Sequence, residues 1–182
     1  MLRTLLPTLA VALALLSQPA SIGAREPSAP ALAKTTEVYF SPGGGCTKVI
    51  TDALGAAKKT VRVQAYSFTS APIAAAVVAA HKRGLAVQVI LDRSQRSSQY
   101  SSADFLAHAG VPTFIDLKHA IAHNKIIILD GETVITGSFD FTKAAEASNA
   151  ENLLVIRDQE LAGKYDKNWE AHLAHSEPYA GR

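Results

Sequence analysis

Two apolar segments joined by a tight turn limit most strongly how this chain of 182 residues can fold. Residues 123–130 read HNKIIILD, residues 133–137 read TVITG, and the pair Asp130-Gly131 stands at the turn. An Asp-Gly pair between apolar strands is a strong hairpin signal, because both residues tolerate the positive φ angles of a tight turn. The sequence therefore predicts two strands of a sheet connected by a hairpin.

Strand and helix patterns alternate through the rest of the chain. Strand-like runs cover residues 36–40, 60–66, 85–92 and 151–156, and helical patterns cover residues 46–59, 72–83, 102–108 and 158–175. This alternation predicts one α/β domain with a mixed, largely parallel sheet that helices flank on both faces.

The amino-terminal residues 1–24 are typical of a secretory signal peptide. Arg3 is followed by an apolar run and then by small residues that end at Ala24. The run is shorter than the roughly 20 residues that span a bilayer, although an uncleaved anchor remains an alternative interpretation. The prediction is a periplasmic or secreted protein.

The domain boundaries follow from composition. Residues 25–35 are rich in proline, alanine and serine and are predicted to be a flexible linker. Residues 36–176 are predicted to form the folded domain, and residues 177–182 a tail. About 150 residues are enough for one domain with a sizeable core.

Charge and cysteine content exclude some functions. The formal net charge of +2 does not favour broad electrostatic capture of nucleic acid, so any phosphate recognition must be local. Cys46 is the single cysteine, so it is either a small buried residue or an intermolecular bridge. The sequence has no CxxC or HExxH pattern, and His172 and His175 are predicted to lie on a solvated helix face rather than to bind a metal.

His123 and Lys125 are the first candidates for chemistry. They lie two residues apart at the start of a strand, so both side chains project to the same face. An imidazole can attack phosphorus or carry a proton, while an ammonium group holds the negative charge of a phosphate. The alternative is that two polar residues merely begin a strand at a solvated edge.

Gly137 and Ser138 follow the second strand of the hairpin and precede a helix-like stretch. A glycine, a hydroxyl group and free backbone N–H groups at a helix start can hold a phosphate. The alternative interpretation of Ser138 is an ordinary helix cap.

Together these motifs resemble the phospholipase D superfamily, in particular its small bacterial endonucleases. The similarity rests on AYSFTS (65–70), HKRG (81–84), HNKIIILD (123–130), TGSFDFTKAAE (136–146) and SNAENLLVI (148–156). The resemblance implies a phospholipase D-like catalytic domain. It also implies phosphodiester hydrolysis on a histidine, without a metal or another cofactor.

The resemblance also implies roles for individual residues. His123 would be the nucleophile that forms a phosphohistidine, and Lys125 and Ser138 would contact phosphate oxygens. Glu151 would orient the histidine through its other ring nitrogen. From the residues alone, Glu151 is a charged residue at a strand start.

Two acidic residues near the motif need separate interpretations. Asp130 completes the HxKxxxxD pattern, but strand alternation puts it on the opposite face from His123. Its geometry favours a turn residue or ion-pair partner. Asp140 stands where the family pattern has asparagine, and a carboxylate can only accept hydrogen bonds when it is ionised. We expect Asp140 either to act protonated or to weaken activity.

The HxK motif occurs once, whereas cleavage needs a nucleophile and a group that protonates the leaving oxygen. The sequence therefore predicts a two-fold homodimer in which the two copies of His123 meet across the axis. The leading functional hypothesis is a metal-independent endonuclease acting on DNA or RNA. The alternatives are a phospholipase D acting on phospholipid head groups and a catalytically impaired homologue that binds phosphate-bearing ligands. In none of these is stable membrane association expected after signal cleavage.

Overall fold

The computed structural model describes residues 34–182. The predicted signal peptide and nearly all of the predicted linker lie outside the described residues. Within the described part, none of the helices combines the length and the apolar character that crossing a membrane requires.

One mixed sheet organises the described residues. Its eight strands are β1 (Thr35–Ser41), β2 (Thr60–Ala65), β3 (Ala86–Asp92), β4 (Thr113–Asp116), β5 (Lys125–Leu129), β6 (Thr133–Gly137), β7 (Glu151–Arg157) and β8 (Ser176–Tyr179). Their spatial order is β1-β7-β6-β5-β2-β3-β4-β8. The fold class predicted from the sequence is thus confirmed as a mixed α/β sheet.

The predicted excess of parallel strands is wrong. Only the pairs β2–β3 and β3–β4 are parallel, and the other five neighbouring pairs are antiparallel. Parallel neighbours need a long crossover, which the helix between β2 and β3 supplies. The short connection between β5 and β6 instead forces an antiparallel pair.

Helices cover both faces of the sheet, as predicted. They are α1 (Cys46–Ala56), α2 (Ala71–Lys82), α3 (Ala103–His108), α4 (Lys143–Ala147) and α5 (Gln159–Leu173), with a 3₁₀ turn at Arg93–Arg96. Buried residues of α1, α2 and α3 pack with one face of the central strands in the main core. On the other face, α5 contributes Ala162 and Trp169 to a second cluster with residues such as Ile126 and Ile128.

The β5–β6 hairpin forms where the sequence predicts it. All five residues of β5 are buried, and Asp130 and Gly131 have φ angles of 57° and 69° at the turn. The turn is followed by register pairing of Leu129 with Thr133. This hairpin carries the HxK segment into the centre of the sheet, because β5 lies between β6 and β2.

The predicted tail is also wrong, since residues 177–179 belong to the last strand of the sheet. Strand β8 pairs antiparallel with β4 at the edge of the sheet. Beyond it, Arg182 forms an ion pair with Asp104 at 2.8 Å. An edge strand can include Pro178 because proline lacks only a backbone donor. Cys46 is completely buried, which confirms the prediction of a small buried residue over that of an intermolecular bridge.

Candidate active site

The candidate residues gather at one end of the sheet. Strand β5 begins with Lys125, β6 ends with Gly137 and β7 begins with Glu151. Because these neighbouring strands are antiparallel, their end and start positions fall at the same edge. The parallel strands β2 and β3 also point their carboxyl ends this way, and the crevice outside such ends is where α/β sheets commonly bind ligands.

His123 and Lys125 are in contact. The Lys125 Nζ atom lies 3.3 Å from Nδ1 and 3.2 Å from Nε2 of the imidazole, and donates to the backbone oxygen of His123 at 3.4 Å. The lysine is buried with only 9% exposure, whereas the histidine side chain is exposed. A buried cation thus stands directly beside an imidazole that solvent and ligands can reach.

Tyr66 supports this pair and was not singled out from the sequence. Its ring lies 4.5 Å from the His123 ring, and the Lys125 Nζ atom stands 5.2 Å from the centre of the tyrosine ring. The backbone N–H of Tyr66 also donates to the oxygen of Asn124 at 2.8 Å. The sequence signal was the position of Tyr66 directly after β2, whose last residue pairs with Lys125.

Asp140 approaches the same lysine. Its Oδ1 atom lies 3.1 Å from Lys125 Nζ, and the carboxyl side chain is 25% exposed. That oxygen is buried and has no hydrogen-bond partner among the described residues, so the ion pair is its principal polar contact. The carboxylate therefore forms an ion pair with the cation that was predicted to hold phosphate.

Gly137 has a structural reason to be glycine. Its φ angle is 149°, and a Cβ atom at this position would lie only 2.2 Å from the backbone oxygen of Asn152. The predicted phosphate cradle of free N–H groups is wrong, because the N–H groups of Ser138 and Phe139 both donate to that same oxygen, at 3.1 and 3.3 Å. Ser138 is not a helix cap either, since Thr142 caps α4.

Ser138 and Glu151 form a second polar group. The exposed serine hydroxyl donates to Glu151 Oε2 at 2.6 Å and accepts from the backbone N–H of Asn152 at 3.1 Å. Asn149 Nδ2 donates to the other oxygen of Glu151 at 3.0 Å. Within the described chain Glu151 makes no hydrogen bond to His123, so the orienting contact implied by the resemblance is not present in a single copy.

Asp130 lies at the opposite end of β5, roughly 16 Å along the strand from Lys125 at about 3.3 Å per residue. Its carboxylate accepts backbone N–H groups of Lys58, Lys59 and Thr60 at 2.7–3.2 Å. Burial raises the pKa of this carboxyl, but the three N–H donors outweigh burial and hold the pKa below its ordinary value. The structure thus puts Asp130 at the turn and away from the cluster around His123.

The prediction of a solvated face for His172 and His175 is wrong. The rings of both residues contact the buried carboxylate of Asp116, which also meets the ring of His119. The sequence separations of 53 and 56 residues between these histidines and His119 hid the cluster. The only local signals were the two pairs with three-residue spacing, Asp116 with His119 and His172 with His175.

The arrangement around His123 suits attack on a phosphorus atom. The exposed imidazole offers a nitrogen lone pair, and the neighbouring ammonium group can stabilise negative charge on a phosphate oxygen. The tyrosine ring limits where the imidazole can turn. Ser138, directly after β6, and Glu151, the first residue of β7, place a hydroxyl group and a carboxylate at the same edge of the sheet.

An α/β domain with a histidine and a lysine two residues apart on a central hairpin is the architecture of a phospholipase D-like domain. The family described as "Cardiolipin synthase, PLD-like domain" matches residues 50–173. The chain belongs to the phospholipase D superfamily.

Individual relatives agree with this assignment. The chain is 45% identical over 130 residues to a phospholipase D of Rickettsia conorii, covering 71% of this chain and 65% of that protein. It is 32% identical over 123 residues to a mitochondrial cardiolipin hydrolase of Chlamydomonas reinhardtii, covering 65% of this chain and 55% of the relative. The chain thus spans slightly less than two thirds of the length of the Rickettsia relative.

A solved structure is similar over almost its whole length. Nuc of Salmonella typhimurium, described as a phospholipase D family member, superposes with a TM-score of 0.78 and 37% sequence identity. The match covers 81% of this chain and 99% of Nuc.

Proposed function

We propose that this protein is a phosphodiesterase, and that it hydrolyses the phosphodiester bonds of DNA or RNA through a covalent intermediate on His123. The contact between the buried Lys125 ammonium and both ring nitrogens of the exposed imidazole supports this proposal most directly. It combines a nucleophile with a fixed positive charge at one point.

The reaction has two steps. A ring nitrogen of His123 attacks phosphorus, forming a P–N bond while the P–O bond to the leaving group breaks. The leaving oxygen takes a proton from a general acid. Water then attacks phosphorus and the P–N bond breaks. The general acid, which lost its proton in the first step, now acts as the base and takes a proton from the water. Side chains of the protein supply the nucleophile, the general acid and the general base, so the proposed reaction requires no metal.

The general acid is the same histidine of a second copy. Only one HxK pair occurs in the chain, and a two-fold axis brings identical residues together. An exposed apolar pair on the edge strand β1 supports association: Val38 is 52% and Phe40 is 60% exposed. Phe40 pairs in register with Asn152, which contacts Ser138, so this surface borders the site.

Nucleic acid is the preferred substrate. The similarity to Nuc extends over 99% of that protein, and the motifs resemble those of small bacterial endonucleases. Phospholipid is the second candidate, because two curated relatives carry the names phospholipase D and mitochondrial cardiolipin hydrolase. A catalytically impaired phosphate-binding protein is the third, and the ion pair between Lys125 and Asp140 favours it.

A direct assay separates these candidates. Purified protein is incubated with supercoiled plasmid, single-stranded DNA, single-stranded RNA, and vesicles of phosphatidylcholine or cardiolipin. We expect strand cleavage that His123→Ala lowers by at least about 1000-fold. Release of head groups from vesicles without cleavage of nucleic acid would instead support the phospholipid candidate. Binding without turnover of any substrate would support the impaired one.

The covalent step and the dimer have their own tests. Rapid quenching with ³²P-labelled DNA should trap a label on the protein that is stable to alkali and labile to acid, and that His123→Ala abolishes. Heterodimers of tagged wild-type protein and His123→Ala should have almost no activity if both histidines serve one site. Half of the wild-type activity would mean that each copy works alone and would contradict the shared site.

The predicted leader leads us to propose export to the periplasm or the medium. Fractionation of cells that produce the full chain, with amino-terminal sequencing of the exported form, tests this. Cleavage after Ala24 is the expected result, and an intact amino terminus in the cytoplasm would contradict it.

A further inference from the structure

A cluster of three histidines and one aspartate lies at the same end of the sheet, outside the site around His123. Asp116 ends β4 and is completely buried. Its Oδ2 atom lies 2.9 Å from His119 Nδ1, 2.9 Å from His172 Nδ1 and 3.3 Å from His175 Nε2. One ligand atom from each of the four side chains lies within 4.8 Å of all the others.

We infer that Asp116, His119, His172 and His175 form a binding site for one zinc ion. Three imidazole nitrogens and one carboxylate oxygen are a donor set that zinc accepts with tetrahedral geometry. Calcium and magnesium prefer sets made of oxygen atoms, so this cluster disfavours them. Four protein ligands would close the coordination sphere, as in structural rather than catalytic zinc sites.

The distances from Asp116 are near the edge lengths of a tetrahedral site. Zinc bonds of about 2.0–2.1 Å give a tetrahedron with edges of about 3.3–3.4 Å. The three separations from Asp116 Oδ2 are 2.9, 2.9 and 3.3 Å, so these edges need to change by a few tenths of an ångström. The separations between the imidazole nitrogens are at most 4.8 Å, so closing the tetrahedron needs a movement of up to about 1.5 Å between side chains.

The surroundings of the carboxylate hold it in position. Asp116 Oδ1 accepts the backbone N–H groups of Lys118 and His119 at 3.0 and 3.3 Å, which leaves Oδ2 directed at the three rings. Such contacts to a ligand's other atoms are characteristic of built metal sites. The His119 side chain is 42% exposed, so an ion can enter from solvent, while the other rings are only 14% and 22% exposed.

The ion would connect segments that are distant in sequence. His172 is in the last turn of α5, His175 precedes β8, and His119 lies in the loop between β4 and β5. That loop leads directly to His123. The end of this loop next to His123 is held separately, because the buried Asp92 carboxylate accepts the N–H of Ala122 at 2.7 Å. Zinc would therefore anchor the loop at His119, the end away from His123.

Metal binding can be measured without any activity. The full protein is stripped with a chelator, and zinc is added back while bound metal, affinity and Tm are recorded. We expect one zinc per chain and a Tm increase of about 5–10 °C at a free zinc concentration 100 times the Kd. Hydrogen exchange of amides in residues 117–122 should become slower with zinc.

Two variants test the ligands. His119→Gln and His175→Gln should each weaken zinc binding at least tenfold, and both replace side chains that are partly exposed, which limits the risk of unfolding. His108→Gln changes a histidine outside the cluster and should bind zinc as the wild-type protein does. Cobalt in place of zinc should give the intense visible absorption of a tetrahedral site in the wild-type protein and the control.

Failure to bind zinc, or equal binding by His119→Gln and the wild-type protein, would overturn the inference. These outcomes are independent of the proposed phosphodiesterase activity. If His123→Ala abolishes cleavage and still binds zinc as the wild-type protein does, that result bears on the proposed reaction and not on the zinc site.

Discussion

Replacing Asp140 by asparagine tests how the charge at the candidate site is balanced. Asp140 Oδ1 lies 3.1 Å from Lys125 Nζ, so the carboxylate occupies the side of the cation that a phosphate oxygen would use. An asparagine of the same shape removes the negative charge and adds an amide donor that can bind a phosphate oxygen. We expect Asp140→Asn to raise kcat/KM and to lower stability.

The magnitude of the gain follows from Coulomb's law. A phosphate oxygen about 4 Å from the carboxylate is repelled by about 1 kcal/mol in water and about 4 kcal/mol at an effective dielectric constant of 20. Removing that repulsion corresponds to roughly a 5-fold to 1000-fold gain in kcat/KM. Asp140 is 25% exposed, so the effective dielectric constant lies between these two limits and the expected gain lies inside this interval.

The cost in stability comes from Lys125. Removing one partner of a fully buried ion pair costs about 3–5 kcal/mol, because the other charge is left buried. Asp140 is only partly buried, so we expect a loss of about 1–3 kcal/mol, or roughly 2–12 °C in Tm for a domain of this size. Activity and stability should thus change in opposite directions.

The assay uses a substrate that does not depend on the choice between nucleic acid and lipid. Hydrolysis of bis(p-nitrophenyl) phosphate is followed against pH for the wild-type protein, Asp140→Asn and Asp140→Ala. A gain in both variants would show that the charge matters, and a gain in asparagine alone would show that the amide donor matters. Asp52→Asn is the matched control, since Asp52 pairs with Lys48 at 2.6 Å on an exposed helix surface.

The control should change stability by less than about 1 kcal/mol and leave hydrolysis unchanged. If Asp140 acts in its protonated form, the activity of the wild-type protein should rise as pH falls, towards that of Asp140→Asn. If Asp140→Asn is no faster than the wild-type protein at neutral pH, the negative charge of Asp140 does not limit hydrolysis and the prediction is wrong.

Three further predictions concern the turn, the glycine and the reaction. Asp130→Asn should lower the free energy of unfolding by about 1.5–3 kcal/mol at pH 7. Because the folded pKa of Asp130 is lowered, this contribution is present above about pH 4 and is lost as pH falls through the folded pKa, so urea titrations should show the two proteins converging in acid. Gly137→Ala should reduce Tm strongly, since its Cβ would meet the oxygen of Asn152, whereas Gly163→Ala, with open space around its Cβ, should preserve or raise Tm in the same thermal scan. The pH profile of kcat/KM should be bell-shaped if one copy of His123 is neutral and the other protonated, and a profile with a single inflection would contradict the shared site.

The local geometry of the site was largely predictable. Strand alternation predicts that His123 and Lys125 face the same side, and their side chains are in contact in the structure, although His123 lies two residues before β5. The same alternation placed Asp130 away from them, at a turn that the Asp-Gly pair had marked. In these cases the residues concerned are close in sequence, and backbone periodicity alone sets their relative positions.

Contacts between distant segments were not predictable in the same way. The sequence did not show that the N–H groups after Gly137 are occupied by the carbonyl of Asn152, because that depends on how β6 pairs with β7. Nor did it show the partner of Glu151, which proved to be Ser138. Both results depend on strand register, and a shift of one residue would reverse which side chains face each other.

The α/β class, the hairpin and the single histidine–lysine pair could be predicted from the sequence, since each depends on patterns within short stretches of the chain. The antiparallel orientation of most strand pairs and the ion pair between Asp140 and Lys125 depend on the tertiary structure. The tertiary structure also brings Asp116 together with three histidines, which lie in the loop before β5, in the last turn of α5 and directly before β8. Packing and strand order bring these groups together across long sequence separations, and local periodicity cannot predict contacts between such distant residues.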